Sequence, residues 1–374
     1  MRRAIRALIT SSSYPADDKD WRGRFIADMV EALARCGTLD VLLWAPPGNS
    51  SSLVTNAARP SEAEWLRELM SRGGIAHLLR NSKIRGLIAA LRLTRLLARV
   101  YKEKRDVDVF HVNWLQNAIP LWGTKTPAII NVLGNDFALL KIPGMKPLLR
   151  AVIRQRCCIL TPNADWMRPY LQRYFGDIAK VRTISFGIAQ QWFDIKRKQS
   201  ARPPWRWLVV SRLTRDKLGP LLDWGQNIFG PEHQLHLFGP NVENLDIPAW
   251  VHYHGPTHPE ELIGRWFPAA TGLITLSRHS EGRPQIMLEA MAAGLPIIAS
   301  DIHAHKDIVQ HKITGWLTGS EDDFHTAIGF LENHENNTRL GVTARAWVAE
   351  NVGTWDDCAQ RYLVAYQELV ENAV

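Results

Sequence analysis

The sequence predicts an α/β chain of two doubly wound, Rossmann-like domains, on three observations. The first is a βαβ pattern at the amino end. Ala4 to Thr10 reads as a buried parallel strand. A helix begins near Arg24, with Phe25, Met29, Val30 and Leu33 on one face and Gly37 beyond its end, and Leu39 to Trp44 is the next strand. The second is that short apolar runs of strand length recur along the rest of the chain, the last of them, Leu295 to Ser300, directly after a helix-spaced segment. The third is length: 374 residues are too many for one compact core and suit two domains of ordinary size. In such folds the ligand side lies at the loops that follow the strands.

The most organised stretch runs from Ser280 to Asp301. A polar loop, Ser280-Glu281-Gly282-Arg283-Pro284, enters a short helix in which Ile286, Met287, Ala290, Met291 and Ala293 recur at helical spacing. Gly282 permits backbone shapes closed to other residues, Pro284 suits a first turn, and Gly294 is a good residue just past the end. An apolar strand, Leu295 to Ser300, follows. Glu281 stands in the loop and Glu289 inside the helix among apolar neighbours. A glutamate in that setting needs a hydrogen-bonding partner, which ligand hydroxyls would supply, and the free N–H groups of the helix start attract phosphate. Taken alone, the spacing better fits an exposed Glu289 and an ordinary capping Glu281.

Composition bounds the alternatives. With 46% apolar and 22% charged residues the chain has the make-up of a soluble globular protein, and a formal charge of +8 favours anionic partners without choosing among small ligands, lipid surfaces and nucleic acid. Cys36, Cys157, Cys158 and Cys358 show no C-x-x-C spacing and are expected as buried free thiols in a reducing, cytoplasmic setting. The amino-terminal apolar run is broken by Arg6, so it reads as a strand and not as a signal peptide. No run of about 18 apolar residues is present to span a membrane.

From Ser280 to Asp301 the chain resembles the donor-site signature of the retaining glycosyltransferases of the GT-B fold, group 1 or family 4. Their pattern of Glu, seven residues, Glu, Ala-Met-Ala, a Gly-Pro pair and Ala-Ser-Asp stands here as Glu281, Glu289, Ala290-Met291-Ala292, Gly294-Leu295-Pro296 and Ala299-Ser300-Asp301. The resemblance implies two Rossmann-like domains facing each other across a cleft. It places an acceptor-side domain at 1–193, a linker at 194–204 ending in a double proline, and a nucleotide-sugar-binding domain at 205–354. A last helix, 355–374, packs back on the first domain.

Taken in order, the loop after the first strand carries Gly23, the counterpart of the family's glycine near the donor phosphates. Pro46 to Pro60 is a loop rich in Pro, Gly, Ser and Asn. Lys83 to Arg105 is a helical segment with eight basic residues among Ile84, Leu87, Ile88, Leu91, Leu93, Leu96, Leu97 and Val100. It suits either an anionic membrane surface or a domain helix with its apolar face on the sheet. Val107 to Val112 and Ala128 to Val132 are further strands. The family ends the second in His-Gly-x-Asp, whereas this chain has Leu133-Gly134-Asn135-Asp136, so His111, Asn135 and Asp136 become the polar candidates for acceptor or sugar contacts. Cys157 to Thr161 and Lys180 to Gly187 read as strands, with a helix at Asn163 to Phe175 between them.

The second domain opens with a strand, Trp205 to Ser211, and then Arg212 and Lys217 at the spacing of the family's diphosphate-binding pair. A guanidinium fork and an ammonium neutralise a diphosphate without a metal. Gln234 to Pro240, Val251 to Gly255 and Gly272 to Ser277 are its next strands, and Trp355 to Val370 is an amphipathic closing helix.

On this likeness the expected activity is transfer of a UDP- or GDP-linked sugar to an acceptor hydroxyl with retention, in polysaccharide or lipid-linked glycan assembly. Glu281 would position the donor sugar and support charge at the anomeric carbon. Glu289 would hold the ribose hydroxyls. Arg212, Lys217, Gly282, Arg283 and Pro284 would line the diphosphate, Arg283 either touching a ligand or pointing to solvent. No cofactor and no metal is expected, and no nucleic acid, because the basic residues lack interleaved aromatic platforms. The competing readings are a non-catalytic subunit of the same fold, which Leu133 favours, and a nucleotide-sugar epimerase.

Overall fold

A computed structural model of the chain describes residues 3–17, 20–134, 136–198, 200–279 and 281–372. Two compact units are present: one is formed by Met1–Gly187 together with Trp355–Val374, the other by Ile188–Thr354.

The sheet of the first unit contains β1 (Ile5–Thr10), β2 (Leu39–Trp44), β3 (Val54–Asn56), β4 (Val109–Asn113), β5 (Ala128–Val132), β6 (Cys158–Pro162) and β7 (Lys180–Val181). They pair in parallel in the order β3-β2-β1-β4-β5-β6-β7. The direction of winding reverses at β1, so the loops after β1 and β4 flank the place where such sheets bind ligands. Both faces are covered, which is why the strands are near-continuous apolar runs. β3 and the helices Pro60–Ser71 and Gly74–Asn81 lie where the sequence promised only loop or nothing. β3 is a three-residue edge strand set against β2, with Val54 opposite Val41; Val-Thr-Asn is too short and too polar to stand out as an apolar run. The run expected as a strand over 180–187 pairs only at Lys180 and Val181.

One layer of this core is polar. Asn113, Asn131 and Thr161 stand side by side on β4, β5 and β6, and all are buried. Asn131 donates to Asn113 Oδ1 at 2.8 Å and accepts from Thr161 and, at 2.9 Å, from the Tyr362 hydroxyl. Tyr362 and Tyr366 belong to the helix Trp355–Glu371, which buries Leu363, Ala365 and Leu369 against the same unit. Buried polar groups need partners, and these close on one another, so the network fixes where that last helix sits. Two of the four cysteines, Cys158 and Cys358, are buried as expected; Cys36 is half-buried and Cys157 exposed.

In the second unit the sheet comprises β8 (Trp205–Val210), β9 (His233–Phe238), β10 (Val251–Gly255), β11 (Gly272–Thr275), β12 (Ile297–Ser300) and β13 (Trp316–Thr318). All pair in parallel in the order β10-β9-β8-β11-β12-β13, with the reversal at β8. The linker expected at 194–204 is instead largely built into this unit. Ile195 is buried, Arg345 donates to the carbonyl of Ile195 at 3.1 Å, and Arg197 donates to the Gly294 carbonyl at 2.9 Å and to Asn337 Oδ1 at 2.8 Å. The chain passes between the units at Gly187–Ile188 and again at Thr354–Trp355.

Candidate functional site

The reversal at β8 puts the loop after β8 beside the loop after β11. The first of these carries Arg212 and a short helical turn, Arg215–Leu218, capped by Thr214, whose hydroxyl accepts the Lys217 N–H at 3.1 Å. That turn is fastened to the segment beyond β11, where the Arg278 N–H donates to the Asp216 carbonyl at 2.7 Å and joins the two loops directly. Gly219 completes the junction, because a side-chain carbon there would stand 2.0 Å from the Leu276 carbonyl oxygen, at a φ of +55°. Gly219→Ala is expected to destabilise the second unit by about 1–3 kcal/mol through this clash and strain, read from urea unfolding. An unchanged midpoint would show that the two loops part without cost.

The junction brings two predicted residues together. Lys217 Nζ lies 2.6 Å from Glu281 Oε2, with the two side chains 16% and 17% exposed. Around them are groups that the sequence reading missed. Burial lowers the pKa of His279 below its ordinary value; Lys217 and Arg212 push the same way, and Glu281 and Asp216 oppose them. The imidazole therefore sits within the field of all four charges. Behind it, the His279 N–H donates to Ser277 Oγ at 3.1 Å, and Ser300 Oγ donates to the Ser277 carbonyl at 2.5 Å. His305, fully buried, is 3.0 Å through Nδ1 from the Ser300 carbonyl, so Nδ1 carries the proton and Nε2 is left as an acceptor. Burial lowers its pKa too, against the pull of Glu281. A signal for Ser277 and His279 existed: they directly follow a strand at the point where the sheet reverses.

The loop 281–284 runs into the helix Gln285–Ala292, with Pro284 immediately before it. The positive end of that helix therefore lies at the loop that carries Glu281. Gly282 is buried, and Met287, Leu288, Ala290 and Met291 form the buried side of the helix. Glu289 is half-buried, and Arg212 is exposed beyond the end of β8. Arg283 does not point to solvent. Its guanidinium bonds Asp307 through Nε at 3.1 Å and Nη2 at 2.5 Å, the side chains being 5% and 8% exposed. With water largely excluded, each charge depends on the other for its solvation, so the pair anchors the loop.

The residues predicted in the first unit divide differently. Gly23 begins the helix Arg24–Arg35 at φ +72°, and a side-chain carbon there would meet Ser13 at 2.8 Å, so glycine is required by the loop after β1. His111 is no contact for an acceptor in this structure. It is fully buried, with Nδ1 2.5 Å from the Tyr366 hydroxyl and Nε2 2.8 Å from the Asn131 amide. Burial pulls its pKa to about 3, so it is the neutral centre of the polar core layer. Asp136 is likewise turned inward. Its carboxylate accepts the N–H groups of Leu115 at 3.2 Å and Leu133 at 3.3 Å, tying the loops after β4 and β5 together, and burial pushes its pKa up to about 7. Asn135, and Ser280 at the head of the two-glutamate stretch, lie outside the described residues. Among the described residues no group of three or more His, Cys, Asp or Glu is arranged to hold a metal ion.

Residues 208–334 match the sequence model of the family described as glycosyl transferases group 1. The amylovoran biosynthesis glycosyltransferase AmsK of Erwinia amylovora is 26% identical over 160 residues, 38% of this chain and 39% of AmsK. The N-acetyl-alpha-D-glucosaminyl L-malate synthase of Bacillus anthracis is 28% identical over 138 residues, 35% of this chain and 34% of that protein. Each alignment thus spans little more than a third of the relative. Among solved structures, sucrose-phosphate synthase from Thermosynechococcus elongatus superposes with a TM-score of 0.72 at 18% identity, covering 99% of this chain and 100% of that one. Anabaena HepE in complex with UDP-glucose gives 0.67 at 13% identity, covering 98% and 100%. The two parallel-sheet units and these likenesses make the fold GT-B.

Proposed function

We propose, for a chain whose residues 208–334 match the sequence model of the group 1 glycosyl transferases, a donor site for a nucleotide diphosphate sugar and transfer of that sugar to an acceptor hydroxyl with retention at the anomeric carbon. The observation that carries the reading is the 2.6 Å pairing of Lys217 with Glu281 at the sheet reversal, with Arg212 acting on the same spot and a helix start beside it. Lys217, Arg212 and the first turn of the 285–292 helix take the diphosphate, whose charge they neutralise with no metal. Glu289, on the same helix, accepts the ribose hydroxyls. Glu281 positions the donor sugar and faces positive charge growing at its anomeric carbon. UDP is the favoured diphosphate, since the similar HepE structures hold UDP and UDP-glucose. The acceptor is a growing polysaccharide or a lipid-linked glycan, in line with the place of AmsK in amylovoran biosynthesis.

Calorimetric titration with UDP and GDP tests the site. One of the two is expected to bind in the presence of EDTA, and Arg212→Ala and Glu289→Ala are each expected to weaken it by about 1–3 kcal/mol. No binding of either nucleotide would favour the second reading, a non-catalytic subunit of this fold, for which Leu133 in place of the family's histidine is the supporting feature.

A further inference from the structure

The helix Lys83–Glu103 has two apolar faces, and the fold covers one of them. Leu93, Leu97, Val100 and Tyr101 are buried in the core of the first unit. Ile84, Leu87, Ile88 and Leu91 are 74%, 57%, 61% and 50% exposed. Their spacing of three, four and seven residues sets them in one stripe, and at about 100° per residue that stripe looks away from the buried face. A single exposed leucine is ordinary, but four large aliphatic side chains in one row are not. The stripe begins at the second residue of the helix, in the half where Gly86 alone is buried before Leu93.

Charge is gathered at the same place. Residues 72–105 hold ten Lys and Arg against one acidic residue, Glu103, a surplus that exceeds the net charge of +8 of the entire chain. The rest of the molecule is therefore close to neutral, and its basic character is a property of this segment. Arg80, Lys83, Arg85 and Arg95 are exposed. The nearby acids are taken up elsewhere: Glu68 pairs with Arg72, Glu62 with Arg99, and Glu103 with Arg59 and Arg99. Beside the stripe, Arg85 and Arg92 rim a groove of ≈ 200 Å³ whose walls include Trp65, Leu78 and Ile88.

We propose that this face docks the first unit on an anionic lipid bilayer, with Ile84, Leu87, Ile88 and Leu91 in the boundary between headgroups and acyl chains and the flanking Arg and Lys on lipid phosphates. A row of aliphatic side chains bordered by cations matches a surface that is apolar beneath and negative above. A second copy of the chain would fit less well, because a two-fold contact through the stripe would bring Arg85, Arg92 and Arg95 against their own equivalents. Nucleic acid would leave the aliphatic row in water. Among the described residues no helix is long and apolar enough to cross a membrane, so the contact is one of lying on the surface. The proposal makes the membrane partner of the transferase reading specific, yet it stands on this face alone and survives if the donor site fails.

Cosedimentation with vesicles tests it. The full chain is expected to bind vesicles of equal phosphatidylglycerol and phosphatidylcholine and to bind pure phosphatidylcholine far more weakly. Leu87→Glu/Ile88→Glu is expected to lower partition into the mixed vesicles by about tenfold or more, and Arg85→Glu/Arg95→Glu to lower it and remove most of its salt dependence. All four positions are exposed, so unchanged circular dichroism and nucleotide binding are expected in both variants. Absence of binding to the mixed vesicles would overturn the proposal. So would full binding by Leu87→Glu/Ile88→Glu, or a dimer in sedimentation velocity that this variant dissolves while vesicle binding is absent throughout.

Discussion

Glu281→Gln is expected to lower kcat for sugar transfer by about 10²–10³-fold while leaving the affinity for the nucleoside diphosphate undiminished. The two halves of that result have separate causes. Glutamine keeps the shape of the side chain and can still bond sugar hydroxyls, but it carries no charge to face the cation that develops at the anomeric carbon. Lys217, which lies 2.6 Å from the carboxylate, loses its neutralising partner in the variant and becomes a stronger site for phosphate. Steady-state kinetics and titration with the diphosphate separate the two effects. A variant with unaltered kcat would reduce Glu281 to a counter-ion for Lys217. A variant that loses both activity and nucleotide binding would make the ion pair a prerequisite for the folded loop and not a reactive element.

Breaking the Arg283–Asp307 pair is expected to cost more in stability than any other single change at the site. Arg283→Met leaves the Asp307 carboxylate buried without its cation, and the expected loss is about 3–5 kcal/mol in urea unfolding. Pairing it with Asp307→Leu removes both charges and is expected to recover most of that loss, since an apolar pair of similar size has no desolvation penalty. The double variant also separates stability from function: it restores the fold without restoring the placement of the 281–284 loop, so nucleotide affinity recovers less than the unfolding midpoint. If Arg283→Met changes stability by under about 1 kcal/mol, a value typical of exposed pairs, the guanidinium is held by water and not by Asp307.

The corrections at Arg283 and His111 have a common origin. The resemblance offers His111 to an acceptor or sugar and leaves Arg283 between a ligand and solvent, and in both cases a residue far along the chain supplies a partner. Asp307 stands 24 residues beyond Arg283, and Tyr366 stands 255 residues beyond His111. A polar side chain in an apolar run has to find partners, but the run itself does not say whether those are ligand or protein. His111 meets Asn131 and Tyr366, and the core layer they form leaves its ring nitrogens no capacity for an acceptor.

By itself the sequence determined what depends on neighbours a few residues apart. Short apolar runs marked most strands, and 3.6-residue spacing marked the helices Arg24–Arg35, Lys83–Glu103, Gln285–Ala292 and Trp355–Glu371, because side-chain direction along a helix repeats at that spacing whatever lies around it. Glu321–Glu332 and His334–Asn351 went unread. The order from Glu281 to Asp301 marked the loop, helix and strand at the centre of the site, and the resemblance to the family singled out Arg212 and Lys217. Only the tertiary structure decided which of these groups meet. The parallel order of β8 and β11 placed Lys217 against Glu281 across 64 residues of chain, and it drew in His279 together with His305, the latter set apart by no local pattern. It also decided the helix Lys83–Glu103. Periodicity showed that this segment is helical and apolar, but not that it has one face for the sheet and another left in water. Which surface covers an apolar face is set by chain brought from elsewhere in the fold, and that information is not local to the helix.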